Sequence, residues 1–436
     1  MQREDRARDE GRQAPARAWA AAAGLLAVLV LAGCGGDAGA SSPRPAGGDD
    51  AAAPVGGGSA DGSRANPPAD DAKQNGRADA PGQLSAWTGP ASAERHLQRV
   101  DRITGQLTPK SVVASGHGLV VAQNMIYTHT VSVFGSDGQL RKTINDAVTP
   151  SDFGYEKWTK PVKGGPVEAA FSPDGSSLWV SNYSMYGPGF TKPGDDVCNP
   201  DMGLDHSFLY RIDTKSLQIS DIVQVGSVPK YVDATPDGKL VLVTNWCTWD
   251  LSLVRTGDRP EQVATVRLGR YPRGIAVSPD SRTAYVAVMG SSDIAVVDLR
   301  AALSGAGTGT VRWFKGVGAG PRHLNLSPDG KTLYATLNAA GKVAKVDTAT
   351  GRVVATVTTG SQPRSAVLSP DGSALFVVNY ASDTVSRVRT SDLKVLETLA
   401  VDHHPIGVTY DAKTKRVWVA AYGGSLTVFD DAVKAA

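Results

Sequence analysis

Residues 321–338 read PRHLNLSPDGKTLYATLN, and this stretch is the unit from which the chain is built. It predicts a short strand from His323 to Leu326, a tight Ser-Pro-Asp-Gly turn, and a second strand from Thr332 to Leu337. Proline presets the first central φ angle of such a turn, aspartate bonds its own backbone, and glycine tolerates a positive φ. Residues 341–360, GKVAKVDTATGRVVATVTTG, add two alternating strands around a Thr-Ala-Thr-Gly turn. The unit is therefore a four-stranded antiparallel meander of about forty residues.

The same unit recurs along the chain. Further copies open at Pro109, Pro166, Pro229, Pro272, Pro363 and Pro405. Four strands at a period of about forty residues are typical of a propeller blade. The seven copies predict an all-β fold, a seven-bladed β-propeller of four-stranded antiparallel blades over residues 86–436. The last copy has only three strands, so we expect the segment from His96 to Ile103 to supply its fourth strand and close the ring.

The first 34 residues have the features of an export signal. Arg17 precedes a short apolar run from Ala18 to Ala32, and the run ends in Leu-Ala-Gly-Cys at Cys34. This ending resembles the bacterial lipobox, in which the cysteine is lipidated; the alternative is an ordinary secretory signal with an incidental cysteine. Residues 35–85 are rich in Gly, Ala, Asp and Pro and predict a disordered tether. We expect an exported protein that is lipid-anchored in the bacterial cell envelope.

Composition and motifs narrow the function classes. The 436 residues carry a formal net charge of +2, which argues against a dedicated nucleic-acid binder. The sequence contains no phosphate-binding loop, dinucleotide fingerprint, haem-attachment motif or paired-histidine metal motif. The acids of residues 185–206 lack the order of a calcium-binding loop and are better interpreted as solvated. We therefore expect neither a cofactor nor a metal.

The meander also predicts which loops share a face. If the first strand of a blade runs from face one to face two, the connections between blades and the loops after each second strand lie on face one. Two long connections, residues 146–164 and 185–206, both fall there, and long loops are often functional. The Ser-Pro-Asp-Gly turns fall on face two. The Gly- and Ala-rich residues 301–308 predict only a flexible turn.

Five of the seven repeats place a basic residue directly after the opening proline. These are Lys110, Lys230, Arg273, Arg322 and Arg364, with Val167 and Ile406 in the other two repeats. Equivalent positions in seven blades form a ring, so these cations should surround the mouth of the central channel on face one. Converging cations repel unless they are counter-charged. Two interpretations stay open: the ring binds an anion, or its members pair locally with Glu168, Asp233 and the acids of residues 185–206.

Other candidate ligand-binding residues flank this ring. His323 follows Arg322, and Tyr183, Trp246 and Tyr380 stand beside asparagines at the ends of second strands. The aromatic rings could line a shallow ligand surface or pack between blades. The asparagines are better interpreted as satisfying backbone groups at the strand exits.

Cys198 and Cys247 are the remaining cysteines besides Cys34. Both fall on face one, in adjacent blades, and in an exported protein such a pair favours a disulfide that pins the insertion. A catalytic thiol is the alternative.

The PDG turns and the strand endings VSNY, VTNW, ATLN and VVNY resemble YVTN-type propeller repeats, and the full set is similar to bacterial YncE-like proteins. The resemblance covers residues 98–431. It implies the propeller fold and says little about chemistry, because relatives include lactonase-like propellers, surface-layer proteins and propeller domains of nitrous oxide and haem-containing nitrite reductases.

Three hypotheses follow. The first is a monomeric, non-catalytic binding propeller, tethered to the envelope, that presents face one to an anionic small molecule, a glycan or a protein. The second is a lactonase-like hydrolase in which a carboxylate or histidine activates water and Arg322 or Arg364 holds the oxyanion. The third, implied by the YncE-like resemblance, is single-stranded DNA binding with base stacking on Trp246, Tyr183 and Tyr380; the low net charge and surface location count against it.

Overall fold

The computed structural model describes residues 88–305 and 310–433. The predicted signal, the lipobox cysteine Cys34 and the tether all lie outside the described residues. Within the described part of the chain, no helix is both long and apolar enough to span a membrane.

The described strands form seven antiparallel sheets of four strands each, so the predicted seven-bladed propeller is confirmed. Blade one contains β2 (Pro109–Ala114), β3 (Leu119–Asn124), β4 (Thr130–Gly135) and β5 (Leu140–Asn145). Blade two contains β6 (Pro166–Phe171), β7 (Ser177–Asn182), β8 (Phe208–Asp213) and β9 (Gln218–Gln224). Blade three contains β10 (Pro229–Ala234), β11 (Leu240–Asn245), β12 (Asp250–Arg255) and β13 (Glu261–Arg267).

The remaining blades continue in the same order. Blade four contains β14 (Pro272–Val277), β15 (Thr283–Val288), β16 (Asp293–Asp298) and β17 (Val311–Phe314). Blade five contains β18 (Pro321–Leu326), β19 (Thr332–Leu337), β20 (Lys342–Asp347) and β21 (Val353–Thr358). Blade six contains β22 (Pro363–Leu368), β23 (Ala374–Asn379), β24 (Thr384–Arg389) and β25 (Val395–Ala400). Blade seven combines β26 (Pro405–Asp411), β27 (Arg416–Ala421) and β28 (Ser425–Val433) with β1 (Arg95–Thr104).

The ring closes as the sequence predicts. Strand β1 pairs antiparallel with β28, from Arg95 opposite Val433 to Thr104 opposite Ser425. The buried guanidinium of Arg387 in blade six donates to the Ser92 carbonyl at 2.6 Å, just before β1. The first and last described strands thus belong to one blade, and the edge of β28 is covered by β1.

The cores lie between neighbouring blades. Leu242 and Leu253 of blade three pack against Val286 and Val297 of blade four, and all four side chains are fully buried. Each such side chain contributes about 1.5–3 kcal/mol by leaving water. Because every blade buries one face against the next, stability accumulates around the ring and not in one central core.

The turn chemistry on face two agrees with the prediction. In the turn of blade five, Asp329 Oδ1 accepts hydrogen bonds from Ser327 Oγ at 2.6 Å and from the Lys331 amide at 3.1 Å. Gly330 has φ +71°, a conformation that glycine adopts without strain.

The Gly- and Ala-rich segment in blade four differs from its prediction. Residues Leu299–Leu303 form the short helix α1, and Asp298 caps it by accepting a hydrogen bond from the Ala301 amide at 2.9 Å. The aspartate cap and the helix-forming Leu and Ala residues favour a helical turn over a flexible loop.

The long connection of residues 146–164 is largely structural. Its Tyr155 packs edge-on against Phe208, with ring centroids 4.9 Å apart, and its Trp158 stacks on Phe190 at 5.3 Å. These aromatic side chains cover the outer part of blade two, so the connection belongs to the hydrophobic core.

Candidate functional site

In every blade a β-bulge positions the residue after the opening proline, which is basic in five of the seven blades. In all seven blades, the pairing between the first and second strands slips directly after the opening proline. A bulge leaves the extra residue unpaired and re-aims its side chain. The residue after the proline is therefore free to point toward the channel mouth, as expected. The repeat pattern did not predict the bulge that makes this possible.

The backbone before these prolines is strained in several blades. Val228, Tyr271, Gln362 and His404 precede the opening prolines of blades three, four, six and seven, with φ between +52° and +62°. Non-glycine residues occupy this left-handed region at a cost of about 1–2 kcal/mol each. These four residues lie where inner strands begin, next to the basic ring.

The five basic side chains converge on one buried site. Lys110, Lys230, Arg273 and Arg322 are each 5–7% exposed. Arg273, Arg322 and Arg364 line a cavity of about 320 Å³ to which all seven inner strands contribute residues. Lys110 and Lys230 do not line this cavity themselves. Burial lowers the pKa of Lys110, and the charges of Arg273, Arg322 and Lys230 lower it further. The charge of Arg364 in turn acts on Arg322, so the five cations form one electrostatic cluster.

Carboxylates compensate only one side of this cluster. Glu168 Oε1 lies 3.6 Å from Lys110 Nζ and 3.3 Å from Arg273 Nη2. Asp196, from the insertion of residues 185–206, accepts a hydrogen bond from Lys230 Nζ at 2.6 Å. Glu168 and the acids of the insertion were among the expected counter-charges. Local pairing therefore accounts for the cations of blades one, three and four.

Arg322 and Arg364 form the uncompensated side. Arg322 Nη1 donates to the Arg364 carbonyl at 2.9 Å, and the Arg364 guanidinium lies 3.4 Å from the centroid of the Tyr380 ring. Arg364 Nη2 also approaches Gln362 Oε1 at 3.4 Å. In the described part of the chain neither guanidinium forms an ion pair with a carboxylate.

The pKa shifts reflect this crowding. Burial, together with the charges of Arg273 and Arg364, holds the pKa of Arg322 well below its usual range. Burial lowers the pKa of Lys230 to about 8 even though Asp196 opposes the shift. Each shift records a cation that its surroundings disfavour.

Several donors of the cluster lack hydrogen-bond partners. Among the described residues, Lys110 Nζ, Arg273 Nη1 and Arg364 Nε are buried and donate to no acceptor within hydrogen-bond distance. A buried donor left unpaired costs about 1–3 kcal/mol, and more when it is charged. Among the described residues, three of the five cations share two carboxylates, and Arg322 and Arg364 contact none. This arrangement suits a bound anion.

A chain of hydrogen bonds lies one residue deeper in the channel. His323 Nε2 is 3.2 Å from the Tyr231 hydroxyl, and its Nδ1 is 3.1 Å from Ser365 Oγ, so the chain links blades three, five and six. Blade four has Gly274 at the corresponding position, where a Cβ would lie 2.7 Å from the Arg322 carbonyl oxygen. Burial and the neighbouring cations lower the pKa of His323 to about 3, so this imidazole is neutral at physiological pH.

Asp233 does not serve as a counter-charge for the ring, contrary to the expectation from its position. It lines the cavity beyond Tyr231, and no ion pair involves it among the described residues. Burial raises the pKa of Asp233 to about 7. The alternation of the strand places it deeper than the bulged cation, out of reach of the basic side chains.

The aromatic candidates surround the mouth, but their faces are already occupied. Lys230 Nζ lies 4.2 Å from the ring centroid of Tyr183 and 5.1 Å from that of Trp246. Trp246 also stacks on Tyr271 at 4.3 Å, and Tyr380 stacks on His404 at 4.2 Å with Arg364 on its other side. These rings support the cations and leave little free face for stacking nucleobases.

The asparagines at the strand exits have the structural role that was expected. Asn182 Nδ2 donates to the backbone carbonyl of Phe208 at 3.2 Å, and Asn245 Nδ2 donates to the Asp250 side chain, at Oδ1, at 2.7 Å. Both side chains are fully buried. They tie the second strand of a blade to the third and do not reach the channel.

Cys198 and Cys247 are joined by a disulfide, as their placement predicts. The bond connects the insertion of blade two to the loop after β11. The Trp246 indole also donates to the Asp196 carbonyl at 2.9 Å. Together these contacts hold Asp196 beside Lys230.

Sequence reasoning missed Tyr231, Ser365 and Tyr422 as neighbours of the site. Tyr422 lies close enough to Arg322 and Arg364 for their charges to act on its pKa, which burial raises. Tyr231, Ser365 and His323 occupy the same position of their repeats, two residues after the opening proline. Aligning that column of the repeats would have revealed the polar chain.

The fold defines this chain as a seven-bladed β-propeller protein, and comparisons with known proteins agree. The profile of a family described as lactonase, 7-bladed beta-propeller, matches residues 188–355 and, in an overlapping alignment, residues 223–396. These residues run from the blade-two insertion into the last strand of blade six. No curated protein sequence matches the chain.

Solved structures are similar in fold. Hydrazine synthase of Kuenenia stuttgartiensis aligns with a TM-score of 0.58 and 18% identity, over 76% of this chain and 98% of that chain. A chain of the mitotic checkpoint complex aligns with a TM-score of 0.59 and 13% identity, over 80% of this chain and 97% of that chain. At such identities the likeness concerns the propeller architecture alone.

Proposed function

We propose that this propeller is a binding protein whose channel mouth on face one recognises an anionic ligand, either a small molecule or the acidic group of a glycan or protein. One observation carries the proposal: of five clustered cations, four of them nearly fully buried, three share two carboxylates and Arg322 and Arg364 contact none in the described part of the chain. Retaining an uncompensated buried charge is costly for stability, and a ligand that supplies the counter-charge offsets that cost.

The chemistry of the donors favours a carboxylate or phosphate. Guanidinium groups present planar donor pairs that match both oxyanions. The cavity of about 320 Å³ is at the small end of the usual range for ligand sites, which favours a compact ligand or a single protruding group. The polar chain through His323 lies below the cations and gives the site a neutral floor.

Binding to the full-length protein with Cys34→Ser, which prevents lipidation, tests the proposal. A thermal-shift screen would compare phosphate, citrate, glucuronate and a single-stranded oligonucleotide, and calorimetry would follow each acid that stabilises the protein. We expect Arg322→Ala and Arg364→Ala each to weaken binding by at least about tenfold, since each removes a charge-assisted contact. Arg389→Ala, which removes an exposed arginine paired with Asp392, should leave the affinity unchanged.

Unchanged affinity in both channel variants would refute the proposal. A preference for the oligonucleotide, with affinity that falls steeply with salt, would instead favour the third hypothesis.

A lactonase-like hydrolase is the second candidate, and the lactonase family match over residues 188–396 favours it. Asp233 supplies a group suited to proton transfer near neutral pH, because burial raises its pKa to about 7. Arg322 would hold the developing oxyanion. His323 is poorly suited as a general base, because the neighbouring cations oppose its protonation.

Turnover separates this candidate from simple binding. Hydrolysis of a panel of γ- and δ-lactones, followed by proton release, would be measured for the wild type, Asp233→Asn and Arg322→Ala. A hydrolase should lose turnover in both variants. A binding protein should show no turnover above the rate of the uncatalysed reaction.

The location remains part of the proposal. We propose that the propeller is anchored to the cell envelope through a lipid on Cys34, on the strength of the Leu-Ala-Gly-Cys ending. The expected outcome is incorporation of labelled fatty acid by the wild type and its loss, with release from the membrane fraction, in Cys34→Ser. Equal membrane association of both proteins would contradict the anchor.

A further inference from the structure

The two carboxylates that touch the cation cluster differ in how firmly they are held. Glu168 lies on strand β6, its side chain is 15% exposed, and it contacts both Lys110 and Arg273. Asp196 lies in a loop, its side chain is 57% exposed, and its cationic contact is Lys230. Glu168 is therefore a fixed part of the channel wall, whereas Asp196 approaches the cluster from solvent.

The backbone around Asp196 is fixed, and its side chain is held at Oδ1, which accepts hydrogen bonds from Lys230 Nζ at 2.6 Å and from the Tyr183 hydroxyl at 3.1 Å. The disulfide of Cys198 and the hydrogen bond from Trp246 anchor the adjacent backbone. Rotation of the Asp196 side chain into solvent would free Lys230 without opening the loop. Tyr183 and Trp246 would keep the Lys230 ammonium in place, because their rings lie 4.2 and 5.1 Å from its nitrogen.

The Lys230 position and the arginine pair belong to one site. The charge of Arg322 acts on Lys230, and the charge of Asp196 acts on Arg364, although these groups come from blades on different sides of the channel. A ligand in contact with the arginine pair is therefore within electrostatic reach of Lys230.

We propose that Asp196 stands in for one acidic group of the ligand, and that the ligand is an acid with two anionic groups. One group binds between Arg322 and Arg364, and the other replaces the Asp196 carboxylate on Lys230. This inference rests on the proposed function and adds the chemical class of the ligand. An acid with one anionic group would use only the arginine pair and leave the Asp196 contact intact.

Calorimetry with matched acids tests the proposal. The probes are succinate, glutarate and adipate, each compared with its own monoamide, which keeps the length and removes one charge. The proteins are wild type, Asp196→Asn and the control Asp201→Asn, which removes an exposed acid of the same insertion. Measurements at pH 6.0 keep Lys230 protonated in the wild type, where its pKa is about 8.

We expect Asp196→Asn to strengthen binding of the best dicarboxylate by about tenfold, because the competing carboxylate is gone. The monoamide should change by less than about twofold, because it does not use the Lys230 position. Asp201→Asn should bind both probes as the wild type does.

The outcomes separate the two proposals. If dicarboxylate and monoamide both bind through Arg322, but Asp196→Asn leaves the ratio of their affinities unchanged, the inference fails and the proposed function stands. If the wild type binds no anion, or Arg322→Ala binds as well as the wild type, the proposed function fails and the inference with it.

Discussion

Arg322 illustrates how a single residue can oppose stability and serve binding. Arg322 is 7% exposed, and its guanidinium donates a hydrogen bond to the neutral carbonyl of Arg364. The positive charges of Arg273 and Arg364 repel this guanidinium. Such a residue is understandable if an anion completes its surroundings, since binding proteins often retain locally unfavourable groups at their sites.

Replacing Arg322 by methionine should therefore stabilise the protein while abolishing function. We expect Arg322→Met to raise the free energy of unfolding by about 1 kcal/mol, because an apolar side chain of similar volume removes a buried, repelled charge. Anion affinity should fall at least about tenfold. Chemical denaturation and calorimetry measure the two effects.

The matched control is Arg389→Met on the surface, where we expect a change within about 0.5 kcal/mol. A loss of more than about 1 kcal/mol in Arg322→Met would indicate that the hydrogen bond to the Arg364 carbonyl outweighs the repulsion, and that the arginine is structural.

Asp233 predicts a pH dependence of stability. Its pKa is about 7 in the folded protein and near 4 in the unfolded chain, so the folded state binds the additional proton between these values. Because the folded state holds this proton more tightly, its contribution to the free energy of unfolding is greatest below about pH 4 and is lost as the pH rises toward 7. Asp233→Asn, which keeps the shape of the protonated acid, escapes this loss.

We expect Asp233→Asn to exceed the wild type in unfolding free energy by about 4 kcal/mol at pH 8 and to match it near pH 4. Denaturant titrations at both pH values check the difference. Asp201→Asn provides an exposed control. A difference that is the same at both pH values would show that Asp233 ionises normally.

At the scale of elements, the disulfide and the bulge shape the site. The Cys198–Cys247 bond closes a segment with a sequence separation of 49 residues. Its removal in Cys198→Ala with Cys247→Ala should lower the free energy of unfolding by about 4 kcal/mol in the chain-entropy treatment. Denaturant unfolding of the double variant and of the reduced wild type should agree.

If the double variant loses less than about 1 kcal/mol of unfolding free energy, the insertion is already held by its other contacts, such as the Trp246 hydrogen bond to the Asp196 carbonyl.

The elements differ in how far the sequence predicts them. The Ser-Pro-Asp-Gly turns and the second strand Thr332–Leu337 follow from local chemistry, because proline, aspartate and glycine each restrict the turn in their own way. The bulge after each opening proline depends on how two strands pair, which a single-strand pattern does not encode. The contact of Asp196 with Lys230 depends on a long insertion whose path is set by a disulfide. The sequence therefore indicated that the acids of this insertion could pair with the ring, but not that Asp196 is the one that contacts Lys230.

At the scale of the whole molecule, ring closure places the site. Seven inner strands surround one channel only if β1 completes the blade of β26, β27 and β28. Deleting residues 1–104 should leave the outer edge of β28 unpaired and the buried Arg387 without its Ser92 contact. We expect the truncated protein to unfold at a lower temperature and to associate through the free edge.

Size-exclusion chromatography and thermal unfolding test this expectation. Deletion of residues 35–85 alone, which keeps β1, is the control and should remain as stable as the full chain. A monomeric protein of unchanged melting temperature after loss of residues 1–104 would mean that the closing strand contributes little.

The global arrangement was predictable because repeats impose it. Because the seven repeats are equivalent, their basic residues can be placed around one axis before any side-chain contact is known. The distribution of charge around that axis was not predictable, because Glu168 serves two blades and Asp196 reaches across from an insertion. Only the folded ring reveals that Arg322 and Arg364 remain without a carboxylate in the described residues.

The most direct test of the anion site is a crystal of the protein soaked in selenate and measured at the selenium absorption edge. We expect an anomalous peak within hydrogen-bond distance of both the Arg322 and the Arg364 guanidinium groups. This peak should be absent from a crystal of the Arg322→Met variant. Selenate bound only at exposed surface residues, with none beside these two arginines, would contradict it.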